Sequence, residues 1–353
     1  MNALHSPLFQ LEGRLGVKWQ HLRAAKERSI GKRSELLKAI RRIDSDDVSV
    51  VVFGSLARDE FTEQSDIDWT LLVDGGVDPQ HLSLAARIEA VIAELADKPV
   101  GREGTFGNLA FSHELVHQIG GQGDSNQNTT RRILLLLESV AVGRSDAYDR
   151  VLKAILSRYL LEDRGFVSGS GPQHVPRFLF NDFARYWWTM AVDFAHKQRT
   201  RFGQGAAIRN LKLRMSRKLI YISGMLTCFG CALYKKDDFG ECPNSRRTAE
   251  CVECLRQKLN ATPLEIVADT FLRFPHLNAT ALKLISSYDA FLGILATPEA
   301  RARLDKIQEV DYAADPVYQE ARALSHEFRA ALLELFFDEV SGLSELTKMY
   351  GVF

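Results

Sequence analysis

The sequence predicts an α+β protein: a small α/β head built on a mixed sheet, followed by a larger all-helical domain. Three observations lead there. Apolar, β-branched runs closed by glycine fall in the first 145 residues. Helical periodicity separates those runs and then takes over from residue 146 onward. The stretch 162–176, EDRGFVSGSGPQHVP, carries the Gly, Ser and Pro of a long loop soon after the change. The division read from the sequence is therefore 1–145 and 146–353.

The elements follow in order. Residues 17–43 read as a helix with one glycine inside it. DDVSVVVFGS (46–55) is a continuous β-branched run ending in Gly-Ser, which reads as a buried strand. DIDWTLLVDGG (66–76) is a second strand closed by a glycine turn, and 80–96 is an amphipathic helix. GTFGNLAFSHELVHQIGG (104–121) reads as a third strand between glycine breaks. NTTRRILLLLESVAVG (128–143) reads as a helix with a good N-cap. Helices are then expected at 146–162, 177–199, 207–235, 249–258, 263–273, 277–295 and 314–348. No internal repeat is present.

Composition sets outer limits. A chain of 353 residues accommodates two domains at roughly 150 residues each and needs no disulfide or metal staple. Apolar residues at 46% and charged residues at 25% are ordinary for a globular protein and exclude disorder as the default. Lys+Arg and Asp+Glu both number 45, which excludes a globally basic nucleic-acid coat but not a local basic patch. No run of eighteen apolar residues reads as a membrane span, and MNALHSPLFQLEGR lacks the features of a signal peptide. Five cysteines, an odd number, read as reduced thiols. The expectation is a cytoplasmic, bacterial protein with no membrane partner.

The chemistry is concentrated in VVVFGSLARDEFTEQSDIDWTLLV. Gly54-Ser55 is followed by ten residues and then Asp66-Ile67-Asp68. Residues two apart on a strand point to the same side, so Asp66 and Asp68 present two carboxylates together. Such a pair repels itself and suits a hard divalent cation, Mg²⁺ or Mn²⁺, that also takes phosphate oxygens. Gly54 lets backbone approach a phosphate chain, and Ser55 offers it a hydroxyl and an N–H.

Strand, Gly-Ser, short helix and a strand bearing Asp-x-Asp resemble the nucleotidyltransferases of the DNA polymerase β superfamily. Phe53-Gly54-Ser55 and Ser65-Asp66-Ile67-Asp68-Trp69 fit that superfamily's motif throughout. Looser similarity in 117–139 and 183–226 extends to bacterial nucleotidyltransferases distantly like the catalytic head of PII uridylyltransferase. The resemblance implies transfer of an NMP group from an NTP, with Asp66 and Asp68 as catalytic metal ligands and Gly54 and Ser55 at the phosphates. It also implies a third carboxylate on a neighbouring strand. Glu114 is the choice, with Glu103 before that strand and Asp124 after it.

A second feature is a basic helix. From Phe194 to Lys236 there are ten Lys or Arg and no acid. On a helix, Ile208, Leu211, Met215, Leu219 and Ile222 share an apolar face, and the remaining arc is cationic. Related nucleotidyltransferases bring Lys, Arg and Ser from a helical domain to the triphosphate. The resemblance therefore assigns Lys212, Arg214, Ser216, Arg217 and Lys218 to NTP binding. A solvated basic face and an RNA backbone track are the alternatives, and the RNA track would need Tyr186, Trp187 or Trp188 exposed for stacking.

Other residues carry weaker signals. Cys228, Cys231, Cys251 and Cys254 have the CxxC…CxxC spacing of a zinc site, but they lie in apolar, helical sequence, which favours free thiols. Cys242 is read as a spare loop cysteine. His113 and His117 flank Glu114, a weak metal pattern. Asp124, Asn126 and Asn128 with Arg131 and Arg132 read as a polar loop capping a helix. The expected function is a metal-dependent nucleotidyltransferase with ATP as default donor and a protein, RNA or small-molecule acceptor. A weakly catalytic NTP-binding or antitoxin-like module, and a cyclic-oligonucleotide synthase, are the rival readings.

Overall fold

The computed structural model describes residues 6–40, 45–95, 106–167, 175–200, 203–233, 244–337 and 342–351. A four-stranded mixed sheet with order β3-β2-β1-β4 organises the first part of the chain. β1 (Val48–Phe53) pairs antiparallel with β2 (Trp69–Val73) and with β4 (Ser139–Val142), and β2 pairs in parallel with β3 (Asn108–Phe111). Both central strands are buried along their whole length. That is why they read as continuous apolar runs rather than alternating ones.

The two faces of the sheet are covered separately. Val48, Val50 and Val52 stand opposite Val73, Leu71 and Trp69, and this face packs with Leu36, Ile40, Ile88 and Ile92 of α2 (Gln20–Ile40) and α4 (Gln80–Leu95). On the opposite face, Ser49 Oγ accepts Tyr148 N of α7 (Asp146–Glu162) at 3.2 Å.

The short elements between these are α3 (Gly54–Ala57), α5 (Ser112–His117) and α6 (Asn126–Leu137). The C-terminal end of the expected helix 128–143 is strand β4 instead. Its pairing with β1, ninety residues earlier, is a long-range contact that local periodicity does not reveal. The third strand is also shorter than expected, since β3 ends at Phe111 and α5 follows at once.

The chain forms two compact units. One, residues 24–182 and 234–262, holds the sheet. The other, residues 1–23, 183–233 and 263–353, is helical. α7, read from the sequence as the start of the helical domain, thus belongs with the sheet it packs on.

Further helices are α8 (Arg164–Val167), α9 (Arg177–Thr200), α10 (Ala206–Lys212), α11 (Lys218–Leu233) and α12 (Asn244–Leu259). They are followed by α13 (Pro263–Arg273), α14 (Asn278–Ala296), α15 (Pro298–Lys306), α16 (Pro316–Phe337) and α17 (Leu343–Tyr350). α17 is separated from α16 around Gly342, whose φ of 67° a side chain would resist, so the expected single helix 314–348 is two. α1 (Pro7–Leu15) is an element the sequence reading missed. It is anchored to α13 by Glu265, which accepts Ser6 Oγ at 2.5 Å and Leu8 N at 2.9 Å. α14 is long and apolar enough to cross a membrane by composition, yet Leu284, Tyr288, Phe291 and Leu292 are buried within the helical unit.

Candidate active site

The site forms where β1 ends and β2 begins. Gly54 has a φ of 65°, in the left-handed region, and a Cβ placed on it would lie 3.1 Å from Asp68 Oδ2. Glycine is therefore required twice, for the turn and for the close approach of the Asp68 carboxylate. Asp66-Ile67-Asp68 lies just before β2 rather than within it, but Asp68 O accepts Phe53 N at 2.9 Å and continues the ladder. Ile67 is fully buried while Asp66 and Asp68 are half-buried. The alternation expected of an extended Asp-x-Asp therefore holds.

The turn after Gly54 is closed by Arg58 N to Gly54 O at 3.0 Å and Glu60 N to Ser55 O at 2.8 Å. Ser55 is half-buried beside the carboxylates' turn. Beneath it, the buried Arg58 guanidinium donates to Glu60 Oε2 at 2.9 and 2.8 Å, and also pairs with Glu138 at the start of β4. Ser65 is fixed by its N donating to Thr62 O at 2.9 Å and its Oγ accepting Thr62 N at 3.1 Å. Gly54→Ala is expected to destabilise by on the order of 1–2 kcal/mol and to displace the Asp68 carboxylate. A melting curve together with metal-dependent NTP binding checks both effects.

Glu114 does not join this pair. β3 runs parallel to β2 and pairs Phe111 with Val73, so it leads away from Asp68. Five residues of strand separate the level of Asp68 from that of Phe111, about 16 Å at 3.3 Å per residue, and Glu114 follows on α5. Its charge faces Arg131, whose guanidinium burial pushes down and Glu114 pulls back up. Among the described residues no group of three His, Cys, Asp or Glu side chains could hold a metal. Of the acids considered, Asp66 and Asp68 are the two that stand at the Gly54 turn and could offer oxygens to a divalent cation. Two hard oxygen donors suit an ion that completes its shell with water and substrate phosphate. Glu103 lies outside the described residues.

Asp124, the other acid considered, is used elsewhere. It binds the buried Arg132 through both oxygens, at 3.0 and 2.9 Å. The neighbouring arginines are thus separated, because Arg131 instead donates to Asn108 Oδ1 at 2.9 Å, at the start of β3. The loop does cap α6 as expected, with Ser125 Oγ accepting Asn128 N at 3.2 Å. His113 and His117 lie ring to ring on α5 at 4.9 Å.

In the helical unit, the basic helix is continuous but carries a π segment, Leu213–Arg217, between α10 and α11. The expected apolar face is buried: Ile208, Leu211, Met215, Leu219 and Ile222. Ser216 is buried with them, its Oγ accepting the Tyr288 hydroxyl at 3.1 Å. Ile220 and Ser223, which flank this residue on the helix surface, are fully buried too, so the buried side of the helix is wider than the apolar face read from the sequence. Lys212, Arg214, Arg217 and Lys218 are half-buried. Arg214 Nε donates to Asn210 Oδ1 at 2.8 Å, and Arg217 to the Tyr186 hydroxyl at 3.3 Å. Burial pushes the Lys218 ammonium pKa down, and the charges of Arg329 and Arg214 push it further. Arg329 on α16 is a member of this cationic group that the sequence reading missed. Only its position in the fold, more than a hundred residues on, brings it there.

Tyr186 is buried, Trp187 stacks on Tyr221 with centroids 5.6 Å apart, and Trp188 is 67% exposed. Cys228, Cys231, Cys251 and Cys254 are in no disulfide. The first two lie on α11 in the helical unit and the last two on α12 in the sheet unit. Burial pushes the Cys228 thiol pKa well up, and the neighbouring Cys231 pushes it the same way. Cys242 lies outside the described residues.

Residues 33–101 match the family model described as nucleotidyltransferase domain. They cover the site from α2 through β2 to α4, and the match supports NMP transfer in general. No curated protein and no solved structure matches the chain.

Proposed function

We propose that the nucleotidyltransferase domain at residues 33–101 makes this chain a metal-dependent enzyme that moves an NMP group from an NTP, with ATP as default donor, to a protein, RNA or small-molecule acceptor. The observation that carries the reading is the close approach of the Asp68 carboxylate to Gly54, with Asp66 two residues before it. Asp66 and Asp68 hold Mg²⁺ or Mn²⁺, and the ion supplies neutralisation of the phosphate charge. Ser55 and the N–H groups of its turn hold phosphate oxygens. The chain's own contribution is positioning for in-line displacement at the α-phosphorus, with pyrophosphate leaving. A cytoplasmic setting and a bacterial source belong to the same reading.

Lys212, Arg214, Arg217 and Lys218 bind the triphosphate in this reading. The half-buried Lys218, pressed by two like charges, supports an anionic ligand there. Ser216 is left out because its hydroxyl is committed to Tyr288. Arg214→Glu or Arg217→Glu is expected to cost about 1.5–3 kcal/mol of NTP binding, or about 10–150-fold in KM. Calorimetry with NTP and with acceptor on one variant separates the cases. Loss of NTP affinity fits the triphosphate reading. Loss of acceptor affinity with its salt dependence fits an RNA track. No change in either fits a solvated face.

The runner-up reading is a weakly catalytic NTP-binding module that keeps the same two aspartates. Incubation with each α-labelled NTP, Mg²⁺ or Mn²⁺ and cell lysate decides between them. Label in protein, RNA or a small product supports the transferase, and label retained in the NTP supports the module.

A further inference from the structure

We propose that Asp59, gripped by Arg33 and Lys26 of α2, is a positioning residue for the Gly54–Ala57 turn, and that α2 is thereby part of the transfer apparatus. The proposal rests on the transferase reading above. It also extends the working site beyond the family match, which begins at residue 33, after Lys26 and Ser29.

Asp59 is the one non-glycine residue with positive φ, 62°, among the described residues. Side chains resist that conformation, and aspartate accepts it better than most. Glycine would adopt it at no cost, so the aspartate is there for its carboxylate. Arg33 spends both ends of its guanidinium on this segment, donating to Leu56 O at 2.5 Å and to Asp59 Oδ1 at 2.7 Å. Lys26 Nζ lies 3.8 Å from Asp59 Oδ2. Ser29 Oγ accepts Phe61 N at 3.1 Å while donating to Ala25 O at 2.7 Å.

Lys26, Ser29 and Arg33 are spaced to share one face of α2. That face therefore grips Leu56, Asp59 and Phe61 in succession. The gripped residues follow Ser55 directly, and the turn's own bonds, Arg58 N to Gly54 O and Glu60 N to Ser55 O, alternate with them. The side chains of Lys26, Arg33 and Asp59 are 22, 20 and 16% exposed, so the grip is largely shielded from solvent. Its effect is to fix where the Ser55 hydroxyl and the neighbouring N–H groups point.

Stability and positioning separate in Asp59→Gly, which relieves the left-handed backbone while removing the carboxylate that Arg33 and Lys26 share, Arg33 keeping only its bond to Leu56 O. In the full-length protein this variant is expected to melt close to wild type. Its amides at 54–58 are expected to exchange roughly tenfold faster, and the KM for ATP to rise about tenfold with little change in kcat. Asp59→Asn still accepts from Arg33 and tolerates the backbone, so it is expected to recover most of both. Wild-type exchange and KM in Asp59→Gly would overturn the proposal, as would a lowered Tm with unchanged KM. If the wild type transfers no nucleotide, the transferase reading fails on its own. Exchange at 54–58 and ATP affinity by calorimetry then decide the grip, and unchanged values for both overturn it.

Discussion

Asp68→Ala is expected to lower nucleotide transfer by a factor of about 100 or more while leaving the fold intact. The carboxylate approaches Gly54 closely, and in the proposed function it is one of the two carboxylates that hold the ion. Ile67 and Trp69 on either side carry the packing. Removing one of two like charges also relieves repulsion in the metal-free protein, so the melting temperature is expected to hold or rise. Activity above roughly a tenth of wild type would remove Asp68 from the metal site, since loss of a principal charge-stabilising group costs far more.

Arg132→Met is expected to be the most destabilising single change in the sheet unit, by about 3–5 kcal/mol. The Arg132 side chain is fully buried. Its Nε donates to the Tyr159 hydroxyl at 2.6 Å, its two terminal nitrogens bind both oxygens of Asp124, and one of them also reaches Asp182 Oδ2 at 2.9 Å. Burial alone would push the guanidinium pKa down, yet the hydrogen bonds it donates to the two aspartates, with the charges around it, carry it above its ordinary value. Burial likewise pushes the Tyr159 hydroxyl well up, and it remains a donor to Asp182 at 2.5 Å. Methionine fills the volume but strands two buried carboxylates without their cation. Arg131→Met, which removes a cation facing the partly buried Glu114 and a bond to Asn108 but no buried carboxylate pair, is the comparison and is expected to lose less. Thermal melts of the two variants side by side check the difference.

What the sequence made legible was local. The Gly54-Ser55 turn and the Asp66–Asp68 pair are separated by ten residues, and both ends of that spacing are set by strands whose burial shows in their composition. The apolar face of the basic helix was legible for the same reason, since 3.6-residue periodicity survives one π segment. What failed was whatever depended on distant pairing. β4 carries Val140 and Val142 in a run that continues a helix, and only its register against β1 makes it a strand. Glu114 looked like a strand residue because Leu109 to Val116 alternates loosely, yet the chain turns into α5 at Ser112. Ser216 read as part of the cationic arc because it is polar, yet the buried side of the helix extends past it to Ile220 and Ser223. Arg329, Arg33 and Asp59 were invisible as site residues because their partners lie on other elements.

The central claim, nucleotidyl rather than phosphoryl transfer at the Asp66–Asp68 site, is tested most directly with ATP labelled in turn at the α- and γ-phosphates. The assay contains Mg²⁺ or Mn²⁺ and lysate as the source of acceptor, and is run with wild type and with Asp68→Ala. The account predicts α-label in the acceptor, γ-label in released pyrophosphate, and loss of both signals in the variant. Label in the acceptor from the γ-position, or α-label transferred equally by Asp68→Ala, would contradict it.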